Sequence, residues 1–461
     1  MSYSKDDIGT MHIAEEKVLA VNVYTVSCRG EKLRMVCPFS FSVRFVRLKI
    51  QTSGQLARRQ NRKEEMKMEA QKKRISPYIY LIIIVLSYLT AGFCQYRLQP
   101  ILTYMMQGMQ IDEGKAGVLV SALSILSIFL AVPFGVMMGK IGPRRTGIFA
   151  MILIIAGSLV GVFGTKSYTV MFLSQLVVGA GTCATGILGP YVIACLFAPE
   201  LRGRANGIYI TGGTIAQLVM YNLVPRITTA ENIAPAWWFT IGYSVAMLVV
   251  WVIFITDEVA PPMGKNGSGA PKISFLEAIR DKNVLQLAIG GLFFMMSTMA
   301  IMSFAPTFLV VEHGYTAEAA GSLVSVCAIV GALSTAIGGT LSDLLKTRKW
   351  IYFGALIWMA LSRFLIAFLP AGILLNITIW LQGLPAVAMG LLYTVAGEAI
   401  APEKASVGIS VVNTFIGIGT LLASALFGVL AVAIGYTASF CVFGALTLLG
   451  MVGVCTIKGV K

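Results

Sequence analysis

The sequence predicts an all-α membrane protein of twelve transmembrane helices in two six-helix bundles. Of the 461 residues, 57% are hydrophobic and only 12% are charged, against about 25% charged in an average soluble protein. Twelve apolar segments follow Pro77, each with the roughly 20 residues that a membrane-crossing helix needs. The two halves also repeat each other at a constant interval, which indicates two bundles in the same orientation.

Residues 1–76 form a basic extension before the first apolar segment. They contain sixteen Lys or Arg and eight Asp or Glu residues, and no apolar run long enough to span a membrane. One interpretation is a cytoplasmic arm attracted to anionic lipid. The other is a mis-assigned start, with the natural protein beginning near Met66. We expect this extension to be disordered or untranslated, and we leave residues 1–66 out of fold prediction.

The apolar segments divide six and six around one long polar interruption. The interruption contains PPMGKNGSGAPK and has the Pro, Gly and Ser content of a linker. It separates an N-terminal bundle (77–256) from a C-terminal bundle (284–461), with the linker at 257–283. The predicted spans are 77–106, 116–138, 146–164, 169–197, 205–225, 237–256, 284–310, 318–340, 350–369, 373–397, 406–431 and 435–457.

The distribution of Lys and Arg predicts the orientation. Loops after even-numbered spans, with the C-terminus, hold fifteen of these residues, and loops after odd-numbered spans hold three. By the positive-inside rule both termini are cytoplasmic. We therefore expect a multi-pass protein of the cytoplasmic membrane. We expect it to be a monomer whose surroundings are the lipid bilayer and which does not bind nucleic acid.

The internal repeat has a measurable register. AGVLVS at 116–121 matches AGSLVS at 320–325, an offset of 204 residues, and APE at 198–200 matches APE at 401–403, an offset of 203. A constant offset over this length indicates gene duplication with both halves parallel.

Signatures of enzymes and metal sites are missing from the sequence. The eight cysteines form no C-x-x-C pair, and His12 and His313 are the only histidines. GAGTCATG at 179–186 lies in a spanning segment with no preceding strand, and no phosphate-binding G-x-x-x-x-G-K-[ST] loop occurs. We predict no cofactor, no metal, no catalytic residue and no enzymatic activity.

Two repeated loops carry a family resemblance. GVMMGKIGPRR at 135–145 and GGTLSDLLKTRKW at 338–350 resemble the signature between helices 2–3 and 8–9 of the major facilitator superfamily (MFS). This resemblance implies the MFS fold, and LFAPELRGRANGI at 196–208 resembles the helix 4–5 connection of the same family. Small glycines are expected to allow close helix packing, and the charged residues to form a cytoplasmic gate. The implied gating residues are Gly135, Lys140, Gly142, Arg144, Arg145, Gly339, Asp343, Arg348 and Lys349.

Departures from the family's patterns narrow the subfamily. Gln175 replaces the arginine of the helix-4 motif of proton-coupled members, and helix 5 lacks the pattern of drug–proton antiporters. No Asp or Glu is placed at mid-membrane. QYRLQPIL around Arg97 resembles helix-1 elements of the organic-anion and cyanate-type branches, whose helix-1 arginine binds an anionic substrate.

Arg97 is the main candidate for a substrate-binding residue. It has no carboxylate within one helical turn, and an arginine inside a span usually faces a protein interior or a watered cavity. The alternative is a side chain that snorkels to the interface, and for Arg363 this is at least as good an interpretation. The repeat pairs Arg97 with Ile301, so we expect the cation to come from the N-terminal half. The candidate substrate-binding residues are Arg97, Gln95, Tyr96, Tyr104, Tyr191, Gln217, Tyr393, Asn413 and, more weakly, Arg363; Tyr104, two turns on, is expected on the face of Arg97.

These observations predict a secondary transporter, an antiporter or symporter, that moves a small organic anion by alternating access. A monocarboxylate or dicarboxylate is the first candidate, and nitrate, nitrite or cyanate the second. From other classes, a non-transporting membrane sensor and a proton-coupled exporter of neutral or cationic compounds stay open.

Overall fold

The structure is a computed structural model. It describes residues 12–18, 21–28, 31–37, 77–256, 279–345, 348–389 and 405–455. Of the sequence-based predictions, Tyr393 and most of the linker lie outside these ranges. The chain divides into two units, Met1–Ile75 and Ser76–Lys461.

The first unit contains a three-stranded antiparallel sheet that the sequence analysis did not predict. Its strands are β1 (His12–Val18), β2 (Val21–Cys28) and β3 (Glu31–Cys37), and β2 pairs with both neighbours. We had expected a disordered or untranslated segment. The signal for strands was the content of β-branched residues in VNVYTVSC, which favours extended backbone.

The second unit is built from helices in the part that the structure describes. It contains two short 3₁₀ turns, at Gln99–Ile101 and at Leu381–Gly383. The helices are α1 (Pro77–Tyr96), α2 (Leu102–Met109), α3 (Glu113–Phe163), α4 (Tyr168–Leu196), α5 (Pro199–Ile227), α6 (Pro235–Phe254), α7 (Lys282–Val311), α8 (Ala317–Leu345), α9 (Arg348–Phe368), α10 (Ile373–Trp380) and α11 (Ala405–Cys455).

These helices correspond to the twelve predicted crossings. The first crossing comprises α1 and α2, whereas α3 and α11 each contain two arms that meet at a glycine. Gly142 has φ 84° and Gly435 has φ 80°, a conformation that glycine adopts without the steric cost of a Cβ atom. The arms are 113–141 and 143–163 in α3, and 405–434 and 436–455 in α11.

Nine segments of the described residues are long and apolar enough to cross a membrane, and Val411–Met451 among them holds two crossings. Helix α5 is not among the nine, since its Thr, Asn, Gln and Tyr residues lower its hydropathy. Only the first part of the tenth crossing, 373–389, is described. The chain is therefore a multi-pass membrane protein with the predicted twelve-helix architecture.

Close contacts between helix backbones hold each bundle together. A Cβ atom on Gly179 of α4 would lie 2.1 Å from the carbonyl oxygen of Leu123, and one on Gly419 of α11 would lie 2.3 Å from that of Leu292. Gly135 differs, because a Cβ atom there would meet no described atom within 4 Å. Among the residues that the structure describes, the close helix packing expected at Gly135 is therefore not seen.

The two bundles meet on one side of the molecule, which we call the far side. It carries the connections after α2, α3, α5, α7 and α9, and the opposite side, which we call the basic side, carries most of the Lys and Arg residues. On the far side the first arm of α3 packs against the first arm of α11, and α5 packs against α8. Buried apolar residues of both bundles join there in one hydrophobic cluster.

Candidate functional site

Arg97 lies inside the N-terminal bundle. It follows α1 directly, and its side chain is 0% exposed. Nη1 donates hydrogen bonds to Thr240 Oγ1 at 2.9 Å and to Ser158 Oγ at 3.2 Å, while Nη2 donates to Gln175 Oε1 at 3.0 Å. Its guanidinium carbon also sits 4.6 Å from the ring centroid of Trp237, within the range of a cation–π contact. Arg97 therefore connects the first crossing to α3, α4 and α6, and it does not snorkel to a surface.

The hydrogen-bond partners of this guanidinium are all neutral. Its Nε is buried and has no hydrogen-bond partner among the described residues. A buried charge without a counter-charge is expensive unless dipoles replace its hydration. The two hydroxyls, the amide oxygen and the indole face supply that solvation here, so the positive charge is stabilised but not neutralised.

Arg363 forms a matching cluster in the C-terminal bundle. It lies on α9 and is 2% exposed, so the snorkelling interpretation does not hold. Nε donates to Ser297 Oγ at 3.1 Å, and Nη2 donates to the carbonyl oxygen of Ser297 at 3.2 Å. Nη1 donates to Gln382 Oε1, and more weakly, at 3.4 Å, to Ser362 Oγ.

The two clusters occupy equivalent places in the repeat, although the arginines themselves do not. Ser158 and Ser362 are 204 residues apart, and the glutamines come from the corresponding fourth and tenth crossings. The guanidinium enters from the first crossing in one bundle and from α9 in the other. The sequence analysis paired Arg97 with Ile301 and expected a cation from one half only, whereas each bundle encloses one.

Two predicted residues, Tyr96 and Gln217, lie beside the boundary between the bundles. Gln95 and Tyr96 at the end of α1 are partly exposed. Gln217 of α5 is 7% exposed and donates from Nε2 to the sulfur of Met302 at 3.0 Å. Tyr221, which the sequence analysis did not select, lies next to them, with its ring 6.1 Å from that of Tyr96.

Tyr221 is a fully buried polar residue at this boundary. It is 0% exposed, and its hydroxyl lies 2.5 Å from both Gln99 Oε1 and the carbonyl oxygen of Met302. A phenol has one proton to donate, so the two acceptors compete for it. A sequence signal existed, because Tyr221 lies four residues after Gln217 and therefore on the same helix face.

The remaining predicted binding residues are dispersed. Tyr104 lines a cavity of about 270 Å³ on the far side, together with Lys166 and Glu231. Its predicted proximity to Arg97 assumed a continuous helix, but bends at 97–98 and the 3₁₀ turn interrupt it. Tyr191 of α4 is partly exposed, and Asn413 of α11 is exposed.

The predicted gating motif is described in its first copy. Gly142 makes the reversal between the arms of α3, and Lys140 and Arg145 beside it are exposed. Arg144 donates from Nη2 to the carbonyl oxygen of Val252 at 3.2 Å, which fastens the loop to α6.

In the second copy, the structure assigns Gly339 and Asp343 to α8 and Arg348 and Lys349 to the start of α9. Their side chains and residues 346–347 are outside the described part of the structure. The gate contact between Asp343 and Arg348 stays a prediction.

Comparison with solved structures supports the fold. A bacterial homologue of the human lysosomal transporter Spinster, in an inward-facing and occupied conformation, superposes with a TM-score of 0.71 at 16% identity. It covers 84% of this chain and 98% of its own. The nucleoside transporter NupG gives a TM-score of 0.70 at 14% identity, over 82% of this chain and 98% of its own.

Curated relatives are similar at the level of sequence. Myo-inositol transporter 2 of Schizosaccharomyces pombe is 26% identical over 153 residues, which are 33% of this chain and 27% of that protein. This chain thus matches only about a quarter of the inositol transporter's length. An uncharacterised MFS-type transporter of Bacillus subtilis, YfnC, is 24% identical over 83% of this chain and 93% of its own length.

The family model of the Major Facilitator Superfamily matches residues 84–349 and 287–458, which together cover most of the chain and both predicted bundles. Together with the twelve crossings and the internal repeat, this match identifies the chain as a transporter, not an enzyme, and as a member of the Major Facilitator Superfamily.

Proposed function

We propose that this transporter moves a small organic anion, a monocarboxylate or dicarboxylate, by alternating access. The observation that supports the proposal is the pair of guanidinium groups, Arg97 and Arg363, each enclosed in one bundle by neutral partners. Neither charge is neutralised by a carboxylate among the partners described. Both therefore raise the electrostatic potential between the bundles, and an anion there is stabilised.

The size of this effect follows from Coulomb's law. A helix is about 10 Å wide, which we take as the distance from a guanidinium to a solute beside its bundle. With an effective dielectric constant of about 20, one charge at that distance attracts a monovalent anion by ~1.7 kcal/mol. That corresponds to roughly 15-fold in affinity. Two such charges favour anions over neutral analogues without touching the solute.

This proposal changes the role that the sequence analysis gave to Arg97. Both Nη atoms of Arg97 are already hydrogen-bonded inside the bundle, so we assign its effect on the solute to its field. Direct contacts are assigned to neutral donors at the boundary between the bundles. Tyr96 and Gln217 are the leading candidates, because an amide and a phenol can each donate to a carboxylate.

The proposed membrane orientation places the basic side in the cytoplasm. The bundles are in contact on the far side, so in this orientation the conformation is closed toward the outside. Asp343 and Arg348 are proposed to close the basic side in the opposite state, and Asp343→Asn is expected to slow transport while leaving solute binding unchanged.

A neutral polar solute, such as a polyol or nucleoside, is the second candidate. Two observations favour it: the Nη atoms of both guanidinium groups are already hydrogen-bonded inside their bundles, and proteins similar to this chain are named as myo-inositol and nucleoside transporters. Nitrate, nitrite or cyanate is the alternative to an organic anion, because the same two positive charges would attract an inorganic anion.

Thermal-shift measurements on purified protein separate these candidates. The panel contains carboxylates, nitrate and cyanate as sodium salts, with sodium chloride as the ionic-strength control, beside myo-inositol and nucleosides. The proposal expects stabilisation by one or more carboxylates, and Arg97→Lys, which keeps the charge, is expected to retain it. Stabilisation by the uncharged solutes alone would overturn the anion proposal and favour the second candidate.

A further inference from the structure

The repeated hexapeptide lies where the two bundles meet on the far side. AGVLVS belongs to the first arm of α3, and AGSLVS belongs to α8. A Cβ atom on Gly117 would lie 2.1 Å from the carbonyl oxygen of Ser424, and one on Gly321 would lie 2.3 Å from that of Tyr221. Each carbonyl belongs to the opposite bundle. Glycine at this position therefore allows a backbone contact that no other residue permits without displacement.

The serine that ends each hexapeptide makes the second contact. Ser121 Oγ accepts a hydrogen bond from the backbone N–H of Ala425 at 3.0 Å. Ser325 Oγ accepts one from Asn222 Nδ2 at 2.8 Å. Ser121 is 4% exposed and Ser325 is 3% exposed, so water does not replace these bonds in this conformation. Each serine lies four residues after its glycine and so shares its helix face.

The partners follow the repeat as well. The first hexapeptide contacts Ser424 and Ala425, and the second contacts Tyr221 and Asn222. These two pairs are 203 residues apart, the offset that also relates the two APE sequences. The contacts are therefore reciprocal: the N-terminal hexapeptide contacts α11, and the C-terminal hexapeptide contacts α5.

We propose that Ser121 and Ser325 are a pair of latches that hold the far side closed. They are positioning residues for transport, because they act on the equilibrium between far-side-closed and far-side-open states and need no contact with the solute. Both bonds join helices of different bundles, so separation of the bundles on the far side breaks both. The proposal does not depend on which solute is carried.

The two latches are unequal. Asn222 Oδ1 also accepts a hydrogen bond from Ser322 Oγ at 2.9 Å, whereas the first hexapeptide has Val118 at the position of Ser322. The latch between α5 and α8 thus contains two hydrogen bonds between side chains. The latch between α3 and α11 contains one hydrogen bond, which a backbone N–H donates to a serine side chain. Loss of Asn222 should open the far side more than loss of Ser121.

Distances between two spin labels, measured by double electron–electron resonance, test the proposal directly. Spin labels at Glu231→Cys and Glu318→Cys, both exposed on the far side of opposite bundles, report closed and open states as separate distances. One buried neutral hydrogen bond changes an equilibrium by about fivefold. Ser121→Ala or Ser325→Ala should lower the closed-to-open ratio by about fivefold, and the double variant by about 25-fold if the sites are independent.

Two comparisons separate a latch from a general loss of stability. Ser127→Ala is the matched control, since Ser127 lies on the same arm of α3 but donates only to carbonyl oxygens of its own bundle, those of Leu123 and Gly179. It should leave the ratio unchanged. The Ser325→Ala and Asn222→Ala substitutions should be non-additive, because each removes the same bond. A double serine variant whose ratio equals that of the control would overturn the proposal.

Discussion

Replacement of Arg97 by an uncharged residue shows how the buried cation and its hydrogen bonds affect the stability of the N-terminal bundle. In Arg97→Met, three hydrogen bonds are lost from a side chain that is 0% exposed. Thr240 keeps a partner, because its hydroxyl also donates to the carbonyl oxygen of Trp237 at 2.8 Å. Ser158 Oγ and Gln175 Oε1 lose their described donor. The serine hydroxyl can rotate to a backbone carbonyl of its own helix, whereas the amide oxygen is left without a donor. One buried, unsatisfied carbonyl costs about 1–3 kcal/mol, and this is the expected loss of stability.

The paired variant Arg97→Met/Gln175→Leu removes the orphaned oxygen together with the charge. Replacement of a buried ionic group and its partner by apolar residues of similar size is often neutral or stabilising. The guanidinium of the natural protein already leaves Nε without a partner among the described residues, which strengthens that expectation. We expect the double variant to unfold within about 1 kcal/mol of the natural protein, and at a higher temperature than Arg97→Met.

Thermal unfolding in detergent gives the stability comparison, and solute binding to the same preparations gives the functional one. Because the double variant retains its packing, any loss of binding reports the charge. If the Arg97 charge acts through its electrostatic field, the affinity for an anion should fall roughly 15-fold. The affinity for a neutral solute should stay constant. The reasoning fails if the double variant is as unstable as Arg97→Met, since the orphaned amide would then not explain the loss. Unchanged anion affinity would refute the proposal that the Arg97 charge attracts the anion.

Three further predictions concern other parts of the molecule. Arg363→Met should also weaken anion binding by roughly 15-fold, measured with the same panel, because the second guanidinium is enclosed in the same way. Tyr436→Phe removes a hydrogen bond of 3.3 Å to Glu113 between the bundles and should shift the far-side distance ratio by less than fivefold, since the bond is long and partly exposed. Gly179→Ala should lower the unfolding free energy by about 1–3 kcal/mol. Gly186→Ala, where a Cβ atom would meet no described atom within 4 Å, should not lower it, because alanine is the better helix former.

The sequence predicted the fold because its signals act over single segments. Twelve apolar runs, the loop charges and the 204-residue repeat each follow from local composition or from direct comparison of the two halves. The chain reversal at Gly142 could also be predicted from the sequence, since a glycine followed by Pro143 is typical of a reversal between two helices. In the N-terminal extension the same approach missed three strands, because the basic composition received more weight than the β-branched content.

The surroundings of Arg97 could not be predicted by the same means. Helical periodicity places residues on one face, but it does not say which neighbouring helix that face meets. Ser158, Gln175 and Thr240 come from three different helices, and each alone is an ordinary polar residue in a span. Because the sequence near Arg97 contains no carboxylate, the sequence analysis predicted that an external anion binds its guanidinium. In the structure, neutral hydrogen-bond acceptors inside the bundle bind the guanidinium instead.

The two kinds of repeat-related site therefore differ in origin. The hexapeptide contacts keep the same residues at the same offsets in both halves, with Gly117 matching Gly321 and Ser121 matching Ser325. The arginine clusters keep only their place in the bundle. A backbone contact between helices tolerates few substitutions, because any Cβ atom at the glycine displaces a carbonyl of the other bundle. A buried guanidinium needs only to reach the oxygen atoms of a glutamine and a serine. An arginine on more than one helix can do so. Substitution of Ser121 and of Ser325 should accordingly lower the closed-to-open ratio by similar factors, because the two serines hold equivalent positions in the repeat.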